Sequence, residues 1–302
     1  MDKANEKAVK MARSYMFFSG TKDLWPRLAS LPYALIKGEA LSIMAYNGVG
    51  KRLYGDIDIL VDRENIHQLE TICQESGFIS RPQSREERIL YLSASHQTYP
   101  YTKQMGKFCI DMDLNFDIFW GEYQGKRVNL NEFLSDTVEM DIHENMIKTL
   151  SPLKAMVQLI LHHYKEMNSL FYLSGGNSIN RQKFDDIYFL WKNNSETISL
   201  DNLYTISSAY GIIPYVFYVL YFTNLIFQDM LLKRYVEAFQ TPEGRMLLDC
   251  YGLTNQERKT WKVDFYTRLN AKNLYLLIQD DLTPEDHIKL KRNIQLFGRT
   301  DK

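Results

Sequence analysis

The sequence is short of cysteine, of net charge and of long apolar runs. Its three cysteines, Cys73, Cys109 and Cys250, stand too far apart among 302 residues to make a disulfide framework or a zinc pattern. A reducing, cytoplasmic setting is expected. Thirty-six Lys and Arg meet 37 Asp and Glu for a net charge of -1, so no global basic field argues for nucleic acid. Neither an internal repeat nor a low-complexity segment interrupts the chain. The opening MDKANEKAVKMARSY is charged throughout and holds no apolar signal core. One stretch approaches membrane-spanning length, GIIPYVFYVLYFTNLIF at 211–227. It carries Pro214, Asn224 and several tyrosines, whose polar tips need partners inside protein. A buried helix is expected there, and no membrane contact.

At 45% hydrophobic residues, the chain is long enough for two domains. The first half alternates strand and helix signals. YALIKG (33–38) reads as a strand ending in glycine, EALSIMAY (39–46) as a helix, and GDIDILVD (55–62) as a strand. Asp62 then suits the cap of a helix over RENIHQLETICQESG, whose Ile66, Leu69, Ile72 and Cys73 form an apolar stripe. ILYLSASHQTY (89–99) and KFCIDMDLNFDIFW (107–120) read as two antiparallel strands joined near Gly106. From Ser151 and Pro152 the texture turns helical, with helices expected at 152–167, 184–194, 200–210, 211–240 and 284–298. The expected organisation is α+β, a mixed sheet with flanking helices over 1–150 and a helical bundle over 151–302.

Carboxylates concentrate on two of the strands. Asp56 and Asp58 are two apart, so they share one face, roughly 7 Å from each other along the backbone. Phe108, Ile110, Met112, Leu114, Phe116 and Ile118 alternate with Cys109, Asp111, Asp113, Asn115 and Asp117, a polar face with three aspartates and no basic residue. Like charges side by side are unfavourable unless a cation lies among them. Two carboxylates from one strand and a third from its neighbour suit a two-metal site, in which magnesium shares its oxygen shell with substrate phosphates. Asp111 lies on the same face as Asp113, so either can be the third carboxylate. Lys37-Gly38 sits where a strand hands over to a helix, a place for an anionic group, and Arg52 precedes Asp56 by four residues, as a phosphate clamp or as an ion-pair partner of the aspartates.

Other motifs carry less. GVGKR (48–52) fails as a phosphate loop, since Ala45 replaces the first glycine and Arg52 the Ser or Thr. His162 and His163 are neighbours on a helix, about 100° apart around its axis, so they are not expected to chelate one metal together. His96 falls on the 89–99 strand with no fixed relation to the aspartates. Arg181 and Asp185 read as a helix-surface ion pair, and KLKRN (289–293) as a local basic patch.

KGEALSIMAYNGVGKRLYGDIDILVD resembles the nucleotidyltransferase fold shared with DNA polymerase β. Within that superfamily it is similar to bacterial nucleotidyltransferases with KG, then R-x-x-x-D-I-D-L-L-V, then V-D-L-H-W. The matching residues are Lys37-Gly38, then Arg52 leading into Asp56-Ile57-Asp58-Ile59-Leu60-Val61, then Met112-Asp113-Leu114-Asn115-Phe116. The resemblance implies that Asp56, Asp58 and Asp113 are the metal-binding, catalytic carboxylates. It also implies that Lys37 and Gly38, with Arg52, lie against a nucleoside triphosphate. The expected reaction moves a nucleotide from an NTP, ATP by default, with two Mg2+ ions, or Mn2+ in their place. The acceptor is a small molecule, peptide or protein; a toxin-like transfer to tRNA, or a silent nucleotide-binding scaffold, are the alternatives. Asn115 stands where the narrower family has His, and Glu39 follows Gly38 where the superfamily has Ser or Gly, which brings a carboxylate near the phosphates. His162 is expected to face the cleft by the same resemblance.

Overall fold

The computed structural model describes residues 3–121, 123 and 125–297. Its fold is α+β, as expected, around a seven-stranded mixed sheet. The strands are β1 (Tyr33–Ile36), β2 (Asp56–Val61), β3 (Ile79–Ser80), β4 (Tyr101–Met105), β5 (Phe108–Asn115), β6 (Val138–Ile142) and β7 (Asn145–Thr149). They lie in the order β3-β4-β5-β2-β1-β7-β6. The pairs β2·β5 and β1·β7 are parallel and the rest antiparallel. The chain divides into two compact units. One holds the sheet and consists of the chain up to Gly121 with Arg127–Gln158 and Phe189–Ser199; the other contains Leu159–Tyr188 and the chain from Leu200 onward.

In the sheet unit, helices α1 (Lys3–Gly20) and α2 (Leu24–Leu28) precede β1, and α3 (Gly38–Tyr46), α4 (Ile66–Glu75), α5 (Arg85–Ala94) and α6 (Leu130–Phe133) fall between strands in the chain. The face of β2 and β5 opposite the aspartates makes the core: Ile57, Ile59, Val61, Ile110, Met112 and Leu114 are all buried. Each such aliphatic side chain contributes about 1.5–3 kcal/mol on leaving water. Cys73 of α4 is buried and reaches Met112 with sulfurs 3.7 Å apart. Gly20 ends α1 against β4 and β5; a Cβ there would lie 2.2 Å from Met105 Sδ and 2.4 Å from the Ile110 side chain. The segment 189–199 is tied to α3 by Asn193 and Asn194, whose amides donate to the carbonyls of Ala45 (2.7 Å) and Met44 (2.9 Å).

The second unit is helical. The stretch read as a buried helix is Ile213–Phe227, with Val216–Leu220, Phe222 and Thr223 buried. Among the described residues, no helix is long and apolar enough to cross a membrane. The long helix Pro152–Asn168, of which the residues up to Gln158 count to the sheet unit, begins at its proline, and Arg181 and Asp185 form the expected i,i+4 pair at 3.5 Å.

The structure corrects the reading of 89–99 as a strand. That stretch belongs mostly to α5 (Arg85–Ala94), and the strand partnering β5 is Tyr101–Met105. Ser84 and Glu87 close a capping box: Glu87 N–H donates to Ser84 Oγ (3.1 Å), and Ser84 N–H to the Glu87 carboxylate (2.8 Å). Of the ILYL run, only Tyr91 is buried, so an apparent strand alternation is one helical contact plus exposed side chains. Arg88 holds this helix to α4 through a two-pronged pair with Glu70 at 2.9 and 2.6 Å. His96 is therefore not on a strand. It lies in the loop after α5, and its carbonyl accepts from Phe116 N–H at 2.9 Å.

Candidate functional site

The register of β2 against β5 sets Asp56 opposite Asp111 and Asp58 opposite Asp113. Neighbouring strands lie about 4.8 Å apart, so four carboxylates occupy adjacent positions on one sheet face. Burial separates the two rows. Asp58 (4% exposed) and Asp113 (7%) are buried, whereas Asp56 and Asp111 are partly exposed. Asp111 also lies 3.9 Å from the exposed Cys109 thiol. The polar row stops sooner than the sequence alternation does. Asp117 lies past the end of β5, where it accepts from Phe119 N–H (3.0 Å) and pairs with Arg127 (3.1 Å). Asp62 accepts from Glu64 N–H and caps the turn that follows β2.

Lys37 and Gly38 sit at the edge of this face. In the β1–β2 register Ile36 is opposite Asp58, so Lys37 is the first residue beyond the strand. Its ammonium lies 2.8 Å from Asp58 Oδ1. Asn115 donates to the same oxygen at 3.4 Å and to the Asp113 carbonyl at 3.3 Å. Burial raises the Asp58 carboxyl pKa; the Lys37 charge lowers it, Asp56 raises it again, and hydrogen bonds from Lys37 and Asn115 lower it. Burial and Asp56 prevail, and the net shift is upward. The turn itself is strained: Lys37 has φ 58° and ψ −143°, and Gly38 φ 45°. A side chain at such φ costs about 1–3 kcal/mol, so the glycine is needed and the lysine is held in place by its surroundings. Helix α3 starts here, with Leu41 N–H donating to Lys37 O at 3.0 Å.

Glu39 does not face this site. It is fully buried and accepts from Ser14 Oγ (2.6 Å), Tyr54 OH (2.7 Å) and Gly50 N–H (2.5 Å). Ser14 is also 2.7 Å from His143 Nε2. The carboxylate expected near the phosphates is instead an anchor that ties α1 and the 47–54 turn to the first turn of α3. Arg52 lies in that same turn, where its N–H and that of Lys51 both donate to Ser42 Oγ (3.2 and 2.9 Å). Ser14, Glu39 and Tyr54 were not legible as a group, because 25 and 15 residues of chain separate the partners. Asn115 was visible only as a polar member of the alternation.

The donor set of Asp56, Asp58 and Asp113 is all oxygen and strongly anionic, which suits a hard divalent cation. Among the described residues, the group whose ligand atoms converge, within 4.8 Å, is His162, His163 and Glu166 in the helical unit. This corrects the expectation that the helical offset keeps the two histidines from one metal: their ligand atoms lie within that distance of each other, with ring centroids 5.7 Å apart. Glu166 is already engaged, by His162 Nε2 at 3.3 Å on one oxygen and by the Lys183 ammonium on the other. Burial raises the Glu166 carboxyl, and these neighbours more than reverse that, holding it well below the usual range. The group is a partly exposed ion-pair network, of which only His163 is fully buried.

The sequence matches the family described as uncharacterised nucleotidyltransferase over residues 14–228. No match is found among curated proteins. The structure is similar to that of ANT(2″)-Ia in complex with adenylyl-2″-tobramycin, at 12% identity and TM-score 0.37, over 64% of this chain and 95% of the other. It is similar also to an antigenic nucleotidyltransferase-like protein from Paracoccidioides brasiliensis, at 14% identity and TM-score 0.36, over 79% of this chain and 94% of the other. The family match covers well over half of the chain and takes in Lys37, Gly38, the β2 and β5 aspartates and the helix that carries His162, so the protein is a transferase belonging to that nucleotidyltransferase family.

Proposed function

We propose that this protein transfers a nucleotide from a magnesium-bound nucleoside triphosphate to an acceptor, and that Asp56, Asp58 and Asp113 hold the metal. The observation that supports this most directly is the register of β2 on β5, which stacks Asp58 against Asp113 with Asp56 on the same face. When bound, magnesium neutralises phosphate charge and activates the attacking oxygen. The chain does the rest. Lys37 and the N–H groups opening α3 receive phosphate oxygens at the helix start. Asn115 orients the Asp58 carboxylate through its 3.4 Å hydrogen bond. Asp113 takes the proton of an acceptor hydroxyl or amine as that atom bonds to the α-phosphorus. The bond to the β-phosphate oxygen breaks, and pyrophosphate leaves with the electron pair. Positioning and charge compensation carry most of the acceleration. Asp113 is preferred to Asp111 because it is buried opposite Asp58, whereas Asp111 is paired with the outer Asp56.

The acceptor is taken to be a small molecule, peptide or protein, and ATP the default donor. The test is to incubate the protein with ATP labelled at the α- or the γ-phosphate, magnesium, and fractionated cell extract with or without RNase. Transfer of α-label alone, with release of pyrophosphate, is expected. Transfer of γ-label would make the protein a kinase, and abolition by RNase would make RNA the acceptor. Loss of α-transfer in Asp113→Asn and its retention in Asp111→Asn would support the choice of third carboxylate.

A further inference from the structure

The strained Lys37–Gly38 turn has to be held by its surroundings, and one side chain reaches both residues that follow Lys37. The Tyr54 ring lies against Gly38 in van der Waals range, since a Cβ placed on Gly38 would be 3.6 Å from Tyr54 Cδ2. The Tyr54 hydroxyl donates to Glu39 Oε2 at 2.7 Å. The residue is buried, with its ring 5.4 Å from that of Phe17. Burial, and then the Glu39 charge, push the hydroxyl well above its ordinary pKa, and Ser14 and Arg13 offset this only in part. The hydroxyl therefore stays protonated and goes on donating.

The main chain of Tyr54 leads elsewhere. Tyr54 stands two residues before Asp56, where β2 begins, and four before Asp58. Arg13 donates to the Gly55 carbonyl between them at 3.4 Å. One residue thus belongs by its main chain to the approach of the aspartate strand and by its side chain to the turn that opens α3. The β1–β2 ladder sets Ile36 opposite Asp58 and ends there, before Gly38 and Glu39. Tyr54 carries the connection on to those two residues.

We propose that Tyr54 is a positioning residue of the transfer reaction, tying the aspartate strand to the turn that receives the phosphates and so setting their separation. The inference rests on the proposed metal–nucleotide site. A magnesium–triphosphate complex must meet the aspartates through its metal and the α3 N–H groups through its oxygens at once, so an error in that separation is felt in nucleotide binding. Ser14 supplies the comparison. It donates to the same Glu39 oxygen at 2.6 Å, but from α1, which carries none of the aspartates. A purely structural role would make the two hydroxyls equivalent.

The test compares wild type, Tyr54→Phe and Ser14→Ala, each checked for folding by circular dichroism, in titration calorimetry with Mg2+ and each of the four NTPs in turn. Both variants take one hydrogen bond from Glu39 Oε2. Ser14→Ala also loses its 2.7 Å contact with His143, so its melting point should fall at least as far. Tyr54→Phe is expected to bind the Mg–NTP complex that wild type binds about tenfold or more weakly, and Ser14→Ala to bind it as wild type does. Wild-type affinity in Tyr54→Phe, or an equal loss in both variants, would overturn the positioning role and leave the nucleotide site standing. No binding of any NTP to wild type would instead overturn the nucleotide site, and the role with it. If Tyr54→Phe does not fold, hydrogen exchange of the wild type decides. The bound Mg–NTP complex is expected to slow exchange over 38–41 and 54–58 together, and protection of one segment alone overturns the tie.

Discussion

Replacing Glu39 should unfold the sheet unit far more readily than its distance from the chemistry suggests. Its carboxylate is fully buried and takes three hydrogen bonds, from Ser14, Tyr54 and Gly50, at 2.5–2.7 Å. Hydrogen bonds to a charged group contribute about 1.5–3 kcal/mol each. Three of them sum to about 4.5–9 kcal/mol, an upper bound because neighbours relax and couple. Glu39→Ala is therefore expected to cost several kcal/mol and no more than about 9 kcal/mol, against a total stability of about 5–15 kcal/mol for a typical protein. Glu39→Gln should cost only about 1–3 kcal/mol. Its amide oxygen can still accept from Ser14 and Tyr54, while its NH2 group faces the Gly50 N–H, donor against donor. Urea unfolding followed by tryptophan fluorescence reads the sheet unit, where Trp25 is buried against Phe18 at 5.8 Å. A Glu39→Ala protein within ~1 kcal/mol of wild type would refute the anchor. The Gln variant should also keep its nucleotide-induced stabilisation, since Glu39 faces away from the phosphates.

Three further outcomes follow from the same geometry. Glu166→Gln should flatten the acid limb of stability. The native carboxyl is held well below its ordinary 4.5, so its contribution is present above that pH and is lost as pH falls through the folded value; melting curves from pH 3 to 7 should show wild type and variant converging at the acid end. Ser84→Ala removes one half of the capping box of α5 and should cost about 0.5–2 kcal/mol in urea unfolding, a loss that a strand at 89–99 would not suffer. Asp62→Asn should leave both stability and nucleotide binding near wild type, because Asn caps as well as Asp; a loss of nucleotide binding would place Asp62 in the site.

Strand β2 was readable because its two aspartates interrupt an apolar run at spacing two, and β5 because its alternation is unbroken from Phe108 to Asn115. Pairing these two strands in parallel, with Asp58 on Asp113, is a tertiary fact that no local pattern contains. The misreading at 89–99 has a local cause. ILYL satisfies a strand pattern, and the helix is decided upstream by the Ser84–Glu87 box and by Arg88 reaching Glu70. Glu39 was misplaced for the opposite reason. Its neighbour Gly38 marks a turn expected to receive phosphate, but its own partners Ser14, Gly50 and Tyr54 come from elsewhere in the chain. Lys37 was visible as a residue, and its 2.8 Å contact with Asp58 was not.

The central claim is a metal-dependent nucleotide site built on the β2 and β5 aspartates. Its most direct test is thermal melting with each of the four NTPs, with and without magnesium, for wild type and Asp58→Asn. A ligand at ten times its dissociation constant adds about 1.4 kcal/mol, a rise of a few degrees for a protein of this size. A magnesium-dependent rise with at least one NTP, lost in Asp58→Asn, is the predicted result. A rise that needs no magnesium, one that survives in the variant, or none with any NTP at millimolar concentration would contradict the account.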